Sequence, residues 1–228
     1  MTHEDLTTAV EELEALVNTG SDYAQAETQA RLLLAEAGIE NEPELHCKVL
    51  HALSNSLYRR GLSQEALPFA EQVLSLAQDN HLKDLEARAL NIIGLVHQNL
   101  SDYGLALEYY GKALALSEEL GNKSGVAAHL GNIGTVHYSL SDYGLALEYY
   151  GKALAVSEEL GSKAGVAIRL GNIGIVHRNL SDYRLALEYY GKAVALDEEL
   201  GNKAGVARHL GNIGVVHMYL SDYGLALE

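Results

Sequence analysis

Along the later part of the chain, apolar residues fall at alternating three- and four-residue steps. Between Tyr143 and Leu160, the residues Leu147, Tyr150, Ala153 and Leu154 draw one apolar face, which is the spacing of an amphipathic helix. Ser141 or Asp142 can cap its start by accepting an orphan backbone N–H. Glu148 and Lys152 form a surface pair four residues apart with the acid first. Gly161 ends the helix, because glycine enters the left-handed conformation without steric cost. The next residue, Ser162 here and Asn122 or Asn202 in the neighbouring copies, caps the following helix. The stretch from Lys123 to Leu140 reads as the partner helix. Connections this short make consecutive helices antiparallel.

The two-helix pattern recurs. Ser101-Asp102-Tyr103 returns as Ser141-Asp142-Tyr143, Ser181-Asp182-Tyr183 and Ser221-Asp222-Tyr223, at a constant spacing of 40 residues. The same register finds Ser21-Asp22-Tyr23, and the fullest series is Ala26, Ala66, Ala106, Ala146, Ala186 and Ala226. Early copies have diverged while keeping register, whereas later ones are nearly identical, as recent duplication or deliberate construction would leave them. The expected organisation is one array over 1-228, with diverged copies at 3-42 and 43-82, close copies at 83-122, 123-162 and 163-202, and a partial copy at 203-228. A lone helix pair cannot bury its apolar stripe, so the copies must stack. Gly131 and Gly134 lie inside the first helix and recur as Gly171 and Gly174, then Gly211 and Gly214. Each costs about 1 kcal/mol relative to alanine, so their recurrence predicts close approach of a neighbouring helix.

The run Asn132-Ile133-Gly134, His137, Leu140, Asp142-Tyr143, Ala146-Leu147, Tyr150 and Ala153-Leu154 resembles the tetratricopeptide repeat signature. The resemblance is strong from about Leu90 onward and weak over residues 4 to 89. The proline that usually follows the second helix is missing, and the period of 40 exceeds the usual one of about 34. In that respect the repeats resemble those of kinesin light chain and the spindle-orientation adaptors. The resemblance implies an all-α fold: a right-handed α-solenoid of antiparallel helix pairs, a superhelix whose first helices line a concave groove for peptides.

Composition narrows the function classes. The chain has 228 residues, 48% of them hydrophobic, enough for a sizeable core. Its single cysteine, Cys47, cannot form an internal disulfide. The start, Met1 to Asp5, is acidic and no long apolar run follows, so neither a secretory signal nor a membrane span is expected and a cytoplasmic location follows. A net charge of -15 argues against nucleic acid or an anionic membrane as partner.

No catalytic centre can be assembled, and no cofactor or metal is expected. His97, His137, His177 and His217 recur once per copy, too far apart to share a coordination sphere, and read as packing residues between helices. Of the tyrosine pairs Tyr109-Tyr110, Tyr149-Tyr150 and Tyr189-Tyr190, one ring should face the core and the other the surface. The tandem acids Glu118-Glu119, Glu158-Glu159 and Glu198-Glu199 appear in every close copy on a solvated face, which disfavours glycosidase chemistry. Gly131-Asn132-Ile133-Gly134 lies inside a helix and lacks the lysine of a phosphate cradle.

The copies disagree mainly at five places on the first helix: Arg88/Ala128/Ile168/Arg208, Ala89/His129/Arg169/His209, Leu95/Thr135/Ile175/Val215, Gln98/Tyr138/Arg178/Met218 and Asn99/Ser139/Asn179/Tyr219. At about 100° per residue, the first, third and fifth fall within roughly 20° of one line and the fourth flanks it. By resemblance this stripe is the concave face, and one copy earlier it holds Lys48, Asn55, Tyr58 and Arg59. Exposed positions of the second helix hardly vary, which favours a diversified ligand groove over free drift. Asn132, Asn172 and Asn212 lie about 60° away, where they either bond a ligand backbone or tie one repeat to the next. In peptide-clamping members of the family an asparagine follows the second glycine; here only Asn55 keeps it, so the resemblance does not carry a clamp along the whole groove. The stripe contains Lys48, Arg59, Arg88, Arg178 and Arg208 and no Asp or Glu, in a chain with 31 acidic and 16 basic residues. The expected ligand is therefore an acidic, partly apolar peptide, with Leu95, Ile168, Ile175, Val215, Met218, Tyr138 and Tyr219 as its apolar contacts.

These residues specify a protein-interaction scaffold and not an enzyme. The alternative is a regulatory or self-associating segment of a larger signalling protein. Ser221 to Glu228 matches the opening of a second helix and stops, so the chain is expected to be incomplete, with self-association through that end.

Overall fold

The computed structural model describes residues 2–20, 22–36 and 38–221. The chain divides into two compact units, Met1–Gly121 and Asn122–Glu228. The first unit holds α1 (His3–Thr19), α2 (Tyr23–Leu34), α3 (Pro43–Arg59), α4 (Ser63–Asp79), α5 (Lys83–Asn99) and α6 (Tyr103–Glu119), with a 3-10 turn at Ile39–Asn41. The second holds α7 (Lys123–Ser139), α8 (Tyr143–Glu159), α9 (Lys163–Asn179), α10 (Tyr183–Glu199) and α11 (Lys203–Tyr219). The helix pair anticipated around residues 123 to 160 is thus found to within a residue at each end. Within each unit successive helices pack together, and the first helices of the pairs also meet: α1 with α3 and α3 with α5, then α7 with α9 and α9 with α11. The described chain is all-helical, and each unit is a solenoid of stacked helix pairs.

The turns are made by residues of two kinds. Gly121, Gly161 and Gly201 take φ of 65, 64 and 66° after the second helices, whereas Ser101, Ser141 and Ser181 take φ of 62, 59 and 60° after the first. The alternatives at Ser141 and Asp142 are thereby resolved. Asp142 accepts from the Leu145 N–H at 3.2 Å, as Asp102 does from Leu105 at 3.3 Å, while the serine makes the left-handed turn. Asn122, Ser162 and Asn202 accept from the N–H groups of Gly125, Gly165 and Gly205 at 3.0, 3.2 and 3.2 Å.

The second helices bury a repeated Ala-Tyr-Ala face: Ala106, Tyr110 and Ala113; Ala146, Tyr150 and Ala153; Ala186, Tyr190 and Ala193. Tyr150 packs with Ile173 and Val176, and Tyr190 with Val216. Each buried ring contributes about 1.5–3 kcal/mol. Glycine makes room for it. A Cβ on Gly94, Gly134 or Gly174 would lie 2.7, 2.8 or 2.7 Å from the ring of Tyr110, Tyr150 or Tyr190. The predicted close approach is therefore real at these positions, and what approaches is the tyrosine of the same pair.

The other tyrosine of each doublet is half-buried and stacks on the recurring histidine. The ring centroids of His97–Tyr109, His137–Tyr149 and His177–Tyr189 are 5.6, 5.4 and 5.4 Å apart. Lys112, Lys152 and Lys192 lie over the same tyrosines at 5.3, 5.1 and 5.5 Å. The tandem acids also have a structural use. Glu119 pairs with Lys83, Glu159 with Lys123 at 3.0 Å and Glu199 with Lys163, each across one helix pair. All six side chains are exposed, so each pair contributes only about 0–1 kcal/mol. No helix of the described residues is long and apolar enough to cross a membrane. The expectation built on Ser221 to Glu228 rests on residues 222–228, which lie outside the described residues.

Candidate functional site

In each unit the first helices carry the residues of the row named from the sequence, some exposed and the rest half-buried. In the first unit it runs through Lys48, Asn55, Tyr58 and Arg59 on α3 and Arg88, Leu95, Gln98 and Asn99 on α5. In the second it runs through Asn132, Thr135, Tyr138 and Ser139 on α7, Ile168, Asn172, Ile175, Arg178 and Asn179 on α9, and Arg208, Asn212, Val215, Met218 and Tyr219 on α11. None of these side chains is buried.

Many of them are engaged with one another. Asn179 donates to the Tyr138 hydroxyl at 2.9 Å and to that of Tyr143 at 3.5 Å, while Asn99 donates to the Ser63 hydroxyl at 3.2 Å. Arg178 donates to Asn212 at 3.4 Å, tying α9 to α11. Tyr219 stacks on Tyr183, ring centroids 5.7 Å apart. The buried tyrosines reach the row from beneath: Tyr110 donates to Gln98 at 2.8 Å and Tyr150 to Thr135 at 3.1 Å. In the next copy Ile175 replaces the threonine, and the buried Tyr190 hydroxyl has no hydrogen-bond partner. Burial pushes the Tyr190 phenol up to about 12, against an opposing pull from Arg178.

The charges along the row differ, and Arg59 on α3 has no carboxylate within ion-pair distance among the described residues. Lys48 pairs with Glu44 at 2.7 Å, and Arg88 with Asp84 at 2.8 Å and Glu14 at 3.4 Å. In the second unit, Arg178 and Arg208 have no carboxylate within ion-pair distance among the described residues. Arg208 instead lies 3.3 Å from the ring nitrogen of His209. That histidine faces inward, with Nε2 3.3 Å from a buried Asp197 carboxylate, which also accepts from Asn202 at 2.8 Å. Asp197 stands where the earlier copies have Ser117 and Ser157; the 40-residue register shows the exchange of serine for an acid, but not that the acid is buried.

The second of the five variable positions, Ala89/His129/Arg169/His209, turns away from the row and into the contact between successive first helices. A Cβ on Gly131 would overlap the Arg169 guanidinium, and one on Gly171 would overlap the His209 ring. Its variability was visible in the sequence, but its place at a helix–helix contact was not.

With the geometry in hand, the tetratricopeptide repeat family model matches residues 85–159 and 165–228. No curated protein matches the chain in sequence. Among the solved structures that share the fold, BtubC (BKLC) from P. vanneervenii is 22% identical with a TM-score of 0.71, over 94% of this chain and 87% of its own. Rap protein complexed with competence and sporulation factor is 16% identical with a TM-score of 0.79, over 100% of this chain and 73% of its own. NprR in complex with its cognate peptide NprX is 15% identical with a TM-score of 0.76, over 100% of this chain and 65% of its own.

Proposed function

Because the chain belongs to the tetratricopeptide repeat family, we propose that it is a protein-interaction scaffold that holds an acidic, partly apolar peptide along the row on its first helices. The observation that carries this reading is the state of Arg178 and Arg208. They are cations without carboxylate partners among the described residues, in a chain of net charge -15, beside Ile168, Ile175, Val215 and Met218. An incoming carboxylate gains charge-assisted bonds there, and the apolar neighbours supply contact area. The peptide held by NprR, on a fold alike at a TM-score of 0.76, supports the class of ligand. The test is a fluorescence titration with acidic and basic peptide pools at two salt concentrations. Acidic peptides should bind more tightly, less so at high salt and less so to Arg178→Glu. A preference for basic peptides, or acidic-peptide binding indifferent to salt and to that change, refutes the reading.

A second reading, self-association through α11 as a segment of a larger signalling protein, has one observation in its favour. Leu210 is 51% exposed, where its counterparts Leu130 and Leu170 are 7% exposed. Light scattering over a concentration series tests it. Concentration-dependent dimers abolished by Leu210→Glu support the reading, and a monomer throughout refutes it.

A further inference from the structure

One repeat position changes its electrical character along the chain. Ala89 is buried and carries no charge, and burial pushes the buried His129 down to about 4 and lowers the buried His209, so both are neutral at pH 7. In the copy between those histidines the residue is Arg169, whose guanidinium cannot give up its proton. The side chain is half-buried at the contact between α7 and α9. Its end rests on Gly131, where any β-carbon would overlap it. Its Nε is buried without a hydrogen-bond partner, and no carboxylate of the described residues lies within ion-pair distance. Close by, Thr135 and Tyr150 are satisfied by each other at 3.1 Å, and burial raises the Tyr150 phenol above its ordinary value, so it offers Arg169 no negative charge.

A cation in this setting has given up water without gaining an anion. Packing alone does not require it, since alanine and neutral histidine fill the same position in the other copies. We propose that Arg169 is an anchor for a ligand carboxylate, seated on Gly131 between α7 and α9. This inference rests on the peptide-binding reading and adds to it a point of attachment that the row does not contain. The planar guanidinium, held on one side by the Gly131 backbone, offers its remaining N–H groups to a carboxylate in the paired geometry that arginine favours. The carboxylate belongs either to an Asp or Glu side chain or to the end of a peptide.

Arg169→His is the decisive variant, because histidine occupies this position in two other copies and burial keeps it neutral there. The probe is a fluorescein-labelled penta-glutamate, used with a free and with an amidated C-terminus, and penta-lysine serves as control. Wild type should bind the penta-glutamate in preference to penta-lysine. Arg169→His should weaken that binding about tenfold or more, while its thermal midpoint without ligand stays at or above that of wild type. Equal loss for both forms of the peptide identifies side-chain carboxylates; loss confined to the free-acid form identifies the chain terminus. Unchanged affinity in Arg169→His, with weakened binding in Arg178→Gln, overturns the anchor and leaves the peptide-binding reading standing. If wild type binds neither form, both fall together.

Discussion

Gly174→Ala should destabilise the protein even though it replaces a poor helix former by the best one. In the interior of α9 the exchange gains about 1 kcal/mol of helix propensity. The added Cβ would stand 2.7 and 2.8 Å from Cε1 and Cδ1 of Tyr190, where carbon atoms prefer about 3.5–4.0 Å. Either the ring or the helix must therefore move by roughly 1 Å. Tyr190 is 0% exposed, so its ring has no solvent to move into. Overpacking of this kind costs about 1–3 kcal/mol, leaving a net loss of roughly 0–2 kcal/mol after the propensity gain. Gly191→Ala is the matched control. It lies inside α10 with nothing within 4 Å of its would-be Cβ, so it should gain about the full 1 kcal/mol. Urea unfolding followed by circular dichroism, comparing midpoints in one background, reads the difference. If Gly174→Ala unfolds at or above the midpoint of Gly191→Ala, the seating of the tyrosine ring on glycine is not a steric requirement.

Other outcomes follow from the same contacts. Tyr150→Phe should lose about 0.5–1.5 kcal/mol with its bond to Thr135, whereas Tyr190→Phe should be neutral or stabilising because its hydroxyl has no partner; urea midpoints compare them. Ser141→Gly should raise the thermal midpoint, since a left-handed serine costs about 1–2 kcal/mol and the added chain entropy of glycine returns about half of that. Burial holds His129 at about 4, below its unfolded value of 6.5, so its share of stability is complete above pH 6.5 and is lost as pH falls toward 4. That loss reaches roughly 3 kcal/mol, and His129→Ala should flatten the urea midpoint over this pH window.

The fold was legible because its signals are local and repeated. A three- and four-residue apolar step, a cap and a stop glycine fix each helix, and the 40-residue period fixes how the pairs recur. What neighbours what was less so. Gly131 and Gly134 are alike in sequence, yet one faces Arg169 of the following first helix and the other Tyr150 of its own pair. A three-residue offset turns the helix by about 300°, and only the packed structure says what stands on each side. Ser141 and Asp142 are both capable caps, and backbone geometry, not residue type, divides their roles.

The same limitation governs the charges. The absence of Asp and Glu is true of the row but not of its surroundings, because long side chains reach one turn along a helix or across to a neighbour. Glu44 reaches Lys48, and Asp84 and Glu14 reach Arg88, so these two cations are already compensated, whereas the exposed Arg59 at the end of α3 has no carboxylate within ion-pair distance among the described residues. Arg178 and Arg208 are not compensated either, and Arg169 joins them although it lies off the row. Surface ion pairs are worth little, so Lys48 and Arg88 could exchange their partners for a ligand at small cost and equally small gain. An uncompensated, half-buried guanidinium gains more from the same carboxylate, because it has already lost part of its hydration. Arg169 and Arg178 are half-buried while Arg59 and Arg208 are exposed, so affinity for an acidic peptide should be concentrated on α9, and reversing Arg178 should weaken binding more than reversing Arg88.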